Sequence, residues 1–82
     1  MEQLAQLAQL GNNLRLSRKK HYPHDDMAAF ALRLGISRAT LQKMEKGDLS
    51  VSLKYFYQAA KLLNAEQGFS QLFVLEKSLF DD

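Results

Sequence analysis

A run of hydrogen-bonding and cationic side chains occupies residues 37–46 of the 82-residue chain, which read SRATLQKMEK. Leu41 and Met44 lie three residues apart, so in a helix they share one face, which we expect to point inward. The same period turns the polar and small residues outward as a basic strip: Arg38, Ala39, Gln42, Lys43 and Lys46. Long donors on an exposed helix suit the acceptor-rich base edges of the DNA major groove. The sequence therefore predicts hydrogen-bonded recognition of DNA by this strip.

Two short helices and a tight turn would hold the strip in place. The second helix of the chain is predicted to begin after Asp25 or Asp26, since either carboxylate can accept its free amides, and to stop at Gly35. Ser37 then caps a third helix that ends at Gly47. Two helices joined at a steep angle by three residues form a helix-turn-helix unit.

The rest of the chain is also predicted to be helical, with no stretch that alternates like a strand. A first helix spans about residues 2–20, although Gly11 lies within it, so Met1–Leu10 could instead be a separate arm. Pro23 requires a connector over residues 21–24.

Two further helices complete the predicted fold. Ser52 caps the fourth helix and Asn64 closes it, and the fifth carries Phe69, Leu72 and Phe73 and extends toward Leu79. The prediction is an all-α, five-helix single domain over residues 1–82, with an N-terminal extension, a core over about 10–64, and a dimerisation or partner-binding segment over 65–82.

Charge is unevenly distributed along the chain. Residues 12–61 contain ten Lys and Arg against four acids, a net +6, whereas the two ends together carry one Lys and five acids. This asymmetry is typical of a domain that binds a polyanion, although exposed helix faces are also commonly basic. The chain has no cysteine and no apolar run of about 20 residues, so the sequence predicts neither a thiolate metal site nor a membrane span. The absence of cysteine allows a reducing setting, and a cytoplasmic location is expected.

The segment GISRATLQKMEKG resembles the recognition helix of the lambda-repressor-like (Cro/C1, XRE) family, and the likeness covers about residues 10–63. The resemblance implies a DNA-binding domain whose third helix enters the major groove. It implies base contacts by Arg38, Ala39, Gln42 and Lys43. The implied contacts to the DNA backbone are Ser37, Thr40, Lys46, Ser50, Ser52 and Lys54.

The same resemblance implies an ion pair between Arg18 of the first helix and Glu45 of the third. The chain also departs from the family, which commonly has a phosphate-binding Gln where Met27 stands here. Either helix capping neutralises Asp25 and Asp26 there, or this helix stands farther from the DNA, with Lys20 or His21 compensating.

Both ends carry more apolar residues than a small core normally buries. We expect a homodimer interface formed by Phe69, Leu72, Phe73, Leu79 and Phe80. The alternative is that this tail packs on its own first helix. A two-fold dimer would place its recognition helices about 34 Å apart and read an inverted repeat.

The function predicted from the sequence is a sequence-specific transcriptional repressor that binds double-stranded DNA. The alternative is an antitoxin that binds a kinase-type toxin and represses its own operon, because GDLSVSL and the chain length resemble such antitoxins. RNA is disfavoured, since a helix does not fit the narrow major groove of an RNA duplex.

Other chemistries find little support in the sequence. Residues 21–26 contain two His and two Asp, but capping accounts for the aspartates, so no metal site is predicted. No nucleophile and base stand in a recognisable motif and no glycine loop could cradle a phosphate, so no enzyme and no cofactor are predicted. Tyr22, Tyr55 and Tyr57 are expected to cover the edge of the core, with stacking on bases as the alternative.

Overall fold

The computed structural model describes residues 4–75, and within them it contains helices and connecting loops without any strand. The helices are α1 Ala5–His21, α2 Met27–Leu34, α3 Arg38–Glu45, α4 Leu53–Leu62 and α5 Gln67–Gln71. The predicted all-α, five-helix architecture is therefore confirmed.

Side-chain caps and left-handed residues set the bounds of α2, α3 and α4. Asp26 is the carboxylate that caps α2, accepting a hydrogen bond of 2.8 Å from the Ala29 amide. Gly35 ends α2 in a left-handed conformation, with φ at 70°. Ser37 caps α3 and Ser52 caps α4 through their hydroxyl oxygens. The helix ends predicted at Asp26, Gly35, Ser37 and Ser52 are the ends that form. Helices α3 and α4 end at Glu45 and Leu62, each two residues before its predicted last residue, Gly47 or Asn64.

Helix α1 runs without interruption through Gly11. The described part of the predicted N-terminal arm, from Ala5 onward, is thus continuous with the first helix, while residues 1–3 lie outside the described residues. Gly11 is itself buried, although most of the surrounding residues of α1 are exposed. In an isolated helix, a glycine at this position would lower the stability. We therefore expect Gly11 to serve the packing of α1 against the rest of the fold.

The core lies where α2, α3 and α4 meet. Its buried apolar residues are Phe30, Ala31, Leu34, Leu41, Met44, Val51, Phe56, Ala59 and Leu63. Phe30, Leu41 and Met44 are its largest fully buried side chains. Helix α1 packs against α3, and α2 packs against both α3 and α4. The α2–α3 pair is thereby held from both sides.

The fifth helix is shorter than the sequence prediction. It ends at Gln71, so Leu72 and Phe73, which were predicted to lie on it, follow it instead. Phe73 has a φ of 63°, a left-handed value that a right-handed helix cannot continue through. The predicted extension toward Leu79 lies largely outside the described residues.

Candidate nucleic-acid interface

Helix α3 presents its basic strip to solvent. Leu41 and Met44 are 0% exposed and anchor one face of the helix in the core. The five residues predicted to face outward are all exposed: Arg38, Ala39, Gln42, Lys43 and Lys46. Eight residues of helix preceded by a turn thus give a cationic edge with nothing of the described chain covering it.

Two hydroxyl groups are paired at the start of α3. The Ser37 hydroxyl accepts a hydrogen bond of 3.0 Å from the Thr40 amide and donates one of 2.9 Å to Thr40 Oγ1. Ser37 has thereby used its single hydroxyl hydrogen within the protein. Thr40, which is half-buried, keeps its own hydroxyl hydrogen for an outside acceptor such as a phosphate oxygen.

The loop after α3 is shaped by Asp48. Its carboxylate accepts a hydrogen bond of 2.9 Å from the Ser50 amide. Hydrogen bonds from the backbone and then the side chain of Ser50 hold the pKa of Asp48 below its ordinary value. Asp48 is therefore anionic at neutral pH, and it fixes Ser50 at the surface beside the C-terminal end of α3.

Lys54 stands in the first turn of α4, just beyond this loop. Its ammonium nitrogen lies 5.2 Å from the centre of the Tyr55 ring, close enough for a cation–π attraction. Its backbone amide donates to the Ser52 hydroxyl at 3.3 Å. These contacts hold an exposed cation near the predicted path of a DNA backbone, with Tyr55 half-buried beneath it.

The two aspartates before α2 are both engaged. Asp26 caps the helix, and Asp25 accepts two hydrogen bonds from Arg33, at 2.5 and 3.3 Å. The hydrogen bond from Arg33 is the main reason that the pKa of Asp25 lies below its ordinary value. Arg33 also lies 4.5 Å from the centre of the Tyr22 ring. The predicted explanation by capping therefore holds for Asp26 alone, whereas Asp25 is engaged by Arg33 and not by a helix cap.

Arg33 is the residue of this region that the sequence analysis missed. It lies eight positions after Asp25, across the full length of α2. Sequence patterns identify helical partners three or four residues apart, so this spacing carries no recognisable signal.

The ion pair implied by the family resemblance is present. Arg18 Nε lies 2.6 Å from Glu45 Oε2, and a second bond of 3.1 Å joins Arg18 Nη2 to Oε1. The two side chains are only 7% and 8% exposed. The pair ties the last turn of α1 to the last residue of α3, so it helps to hold α3 in place.

The predicted dimer residues divide into three groups. Phe69 is half-buried and makes an edge contact with Tyr57, with ring centres 5.4 Å apart. Leu72 and Phe73 are 53% and 97% exposed. Leu79 and Phe80 lie outside the described residues. The prediction of a dimer interface stays a prediction.

Three other features considered in the sequence are the tyrosines, a possible metal site and a possible membrane span. Tyr22 and Tyr55 pack against the core, as predicted, whereas Tyr57 is 43% exposed. Residues 4–75 contain no group of three or more His, Asp or Glu that could hold a metal ion. No helix in this part of the chain is long and apolar enough to cross a membrane.

A capped turn between two short helices, with a basic strip on the second of them, defines a helix-turn-helix domain. The family model described as helix-turn-helix matches residues 26–71, more than half of the chain. The chain therefore belongs to the Cro/C1-type (XRE) helix-turn-helix family, the lambda-repressor-like group. DNA binding and transcription regulation are typical of this family, and enzymatic activity is not.

The family match extends from Asp26 to Gln71 and so contains all of α2, α3, α4 and α5. Helix α1, with Gly11 and Arg18, lies outside it. No curated protein and no solved structure matches the chain.

Proposed function

We propose that this protein is a sequence-specific transcriptional repressor that inserts α3 into the major groove of an inverted-repeat operator. One observation carries the proposal: Leu41 and Met44 are fully buried while the basic strip of α3 is exposed along its whole length. An exposed helix of this width fits the major groove, where base edges present distinct acceptors and donors. A cytoplasmic setting is part of the proposal.

Within this proposal, Arg38 and Lys43 read base edges, with Ala39 and Gln42 beside them. Arg38 begins α3 and is exposed, so its guanidinium could bond two acceptors of one guanine. Polar residues around both ends of α3 hold the DNA backbone: Thr40, Lys46, Ser50, Ser52 and Lys54, together with Ser37 once its hydroxyl hydrogen turns from Thr40 Oγ1 to a phosphate oxygen. Such phosphate contacts set orientation without reading sequence.

Arg38→Ala should separate base reading from backbone binding. We expect it to weaken operator binding by about 1–3 kcal/mol and to relax the preference at one base position. Lys54→Ala should instead weaken binding to all sequences similarly and flatten the dependence of affinity on salt by about one unit of slope. Fluorescence anisotropy over a series of salt concentrations and single-base operator variants would measure both.

Lys61→Ala provides the matched control, because Lys61 is an exposed cation on α4 outside the proposed contacts. Its affinity and base preference should stay close to those of the unaltered protein. An Arg38→Ala protein that selects the same bases with unchanged discrimination would contradict the assignment of the reader.

We further propose that the chain acts as a homodimer through its C-terminal apolar residues. Phe73 is 97% exposed, and burying an aromatic side chain stabilises an interface by about 1.5–3 kcal/mol. Phe73→Asp should therefore shift the protein from dimer to monomer in sedimentation analysis and weaken operator binding. Leu32→Asp is the control, because Leu32 is 79% exposed on α2 and lies outside the proposed interface.

A Phe73→Asp protein that sediments as a dimer would contradict this interface. The antitoxin alternative makes a different prediction: the chain would co-purify with a kinase-like protein encoded beside it.

A further inference from the structure

We infer that α1 is a brace that fixes the position of α3 against DNA, and that Gly11 is the positioning residue on which this brace depends. The inference rests on the proposed reading role of α3 and assigns a role in it to a helix outside the family match. Neither Gly11 nor Arg18 belongs to the proposed DNA contacts. Their effect on DNA binding would act through the last turn of α3.

Helix α1 closely approaches the backbone at the end of α3 at Gly11. A β-carbon added there would lie 2.6 Å from both the Glu45 carbonyl carbon and the Gly47 amide nitrogen, and closer still to the Glu45 carbonyl oxygen. These are backbone atoms, so no side-chain rotation can relieve the overlap. Ordinary contact begins at 3.4 Å, so the two segments would have to separate by about 0.8 Å or more.

A second tie lies seven residues along the same face of α1. Residues seven apart in a helix stand nearly above one another, two turns apart. The Arg18 guanidinium there holds the Glu45 carboxylate through two hydrogen bonds. Gly11 contacts the backbone of residues 45–47 and Arg18 the side chain of Glu45, so both act on one short segment.

The two ends of α3 are thus held by different neighbours. Its N-terminal end is joined to α2 through Gly35, while α1 holds its C-terminal end. Lys43 and Lys46 lie next to the braced end. Hydrogen bonds to base edges need their donors held within about 0.5 Å, which is less than the separation that a β-carbon at Gly11 demands.

The test is Gly11→Ala in the full chain, measured for binding to two duplexes. One, called the operator here, is the sequence that the unaltered protein enriches most from a pool of random-sequence duplexes, and the other is a duplex of unrelated sequence. We expect the preference for the operator to fall at least about tenfold, the equivalent of one lost base contact, while binding to unrelated DNA changes little. Amide hydrogen exchange at Gly47 and Asp48 should become faster, since these amides bond to Met44 and Lys43 in the braced turn.

Two variants control for helix propensity and for stability. Asn12→Ala adds an alanine at the next, exposed position of α1 and should leave the operator preference unchanged. Ala59→Gly removes the side chain of a residue of α4 that is 1% exposed, and so lowers stability away from the α1–α3 contact. It too should keep the preference. Equal loss of preference in Ala59→Gly would show that the effect follows stability and would overturn the inference.

A folded Gly11→Ala protein with undiminished operator preference and slow exchange at Gly47 would also overturn it. If Gly11→Ala does not fold, Arg18→Lys is measured in its place, because a lysine keeps the charge but cannot form the two-bond contact with Glu45. We expect a loss of operator preference in Arg18→Lys, and an undiminished preference would overturn the inference. Failure of the proposed function has a different signature: the unaltered protein would then show no operator preference, while Gly11→Ala would still accelerate exchange at Gly47 and Asp48.

Discussion

Glu45→Ala should lower the free energy of unfolding by about 3–5 kcal/mol. The substitution leaves the Arg18 guanidinium buried, with its side chain 7% exposed, and without the carboxylate that compensates its charge. A domain of 82 residues has a total stability of about 4–12 kcal/mol, so the loss would remove a large part of it. Urea denaturation followed by circular dichroism measures the change.

Two comparisons make this result specific. Glu66→Ala removes an acid that makes no side-chain capping bond at α5, and it should change stability by less than about 0.5 kcal/mol. The double variant Arg18→Met, Glu45→Leu replaces the ion pair with apolar side chains of similar size and should regain much of the loss. A loss below about 1 kcal/mol in Glu45→Ala would show that Arg18 finds water or another partner.

Phe30→Ala should cost about 3–5 kcal/mol, because it removes a large, fully buried side chain between α2 and its neighbours. Phe30 also makes an edge contact with Tyr22, with ring centres 5.5 Å apart, and that contact would be lost with it. The midpoint of thermal unfolding should fall by at least about 10 °C in a domain of this size.

Leu32→Ala is the matched control for Phe30→Ala, since Leu32 lies on the same helix but is 79% exposed. Its stability should stay within about 0.5 kcal/mol of the unaltered protein. Equal losses in the two variants would contradict the placement of the core beneath α2.

The sequence predicted α2 and α3 well because their ends are encoded locally. A capping carboxylate at Asp26, a left-handed glycine at Gly35 and a capping hydroxyl at Ser37 each act within three residues of the helix end that they define. The burial of Leu41 and Met44 followed from helical period alone. The basic strip faces outward because its residues lie on the opposite side of the same helix.

The parts that escaped prediction depend on residues that are distant in sequence or on weak local signals. In the sequence, Gly11 could have been a break in the first helix. Its role in packing depends on backbone atoms of Glu45 and Gly47, more than thirty positions later, and local sequence patterns do not indicate such a contact. The Asp25–Arg33 pair spans the length of α2. Helix α5 stops at Gln71, shortly before the left-handed Phe73, and apolar spacing gave no indication of that stop.

Gly11 and Gly35 are glycines for opposite reasons. At Gly35 a β-carbon would meet nothing within 4 Å, so only the torsion angle, φ 70°, restricts the residue. At Gly11 the torsion is that of an ordinary helix and only space is lacking. Asparagine, which enters the left-handed region more readily than other side chains, is thus the least costly replacement at Gly35. At Gly11 any larger amino acid would lower stability, so a substitution there would require compensating changes near Glu45 and Gly47, whose backbone faces it.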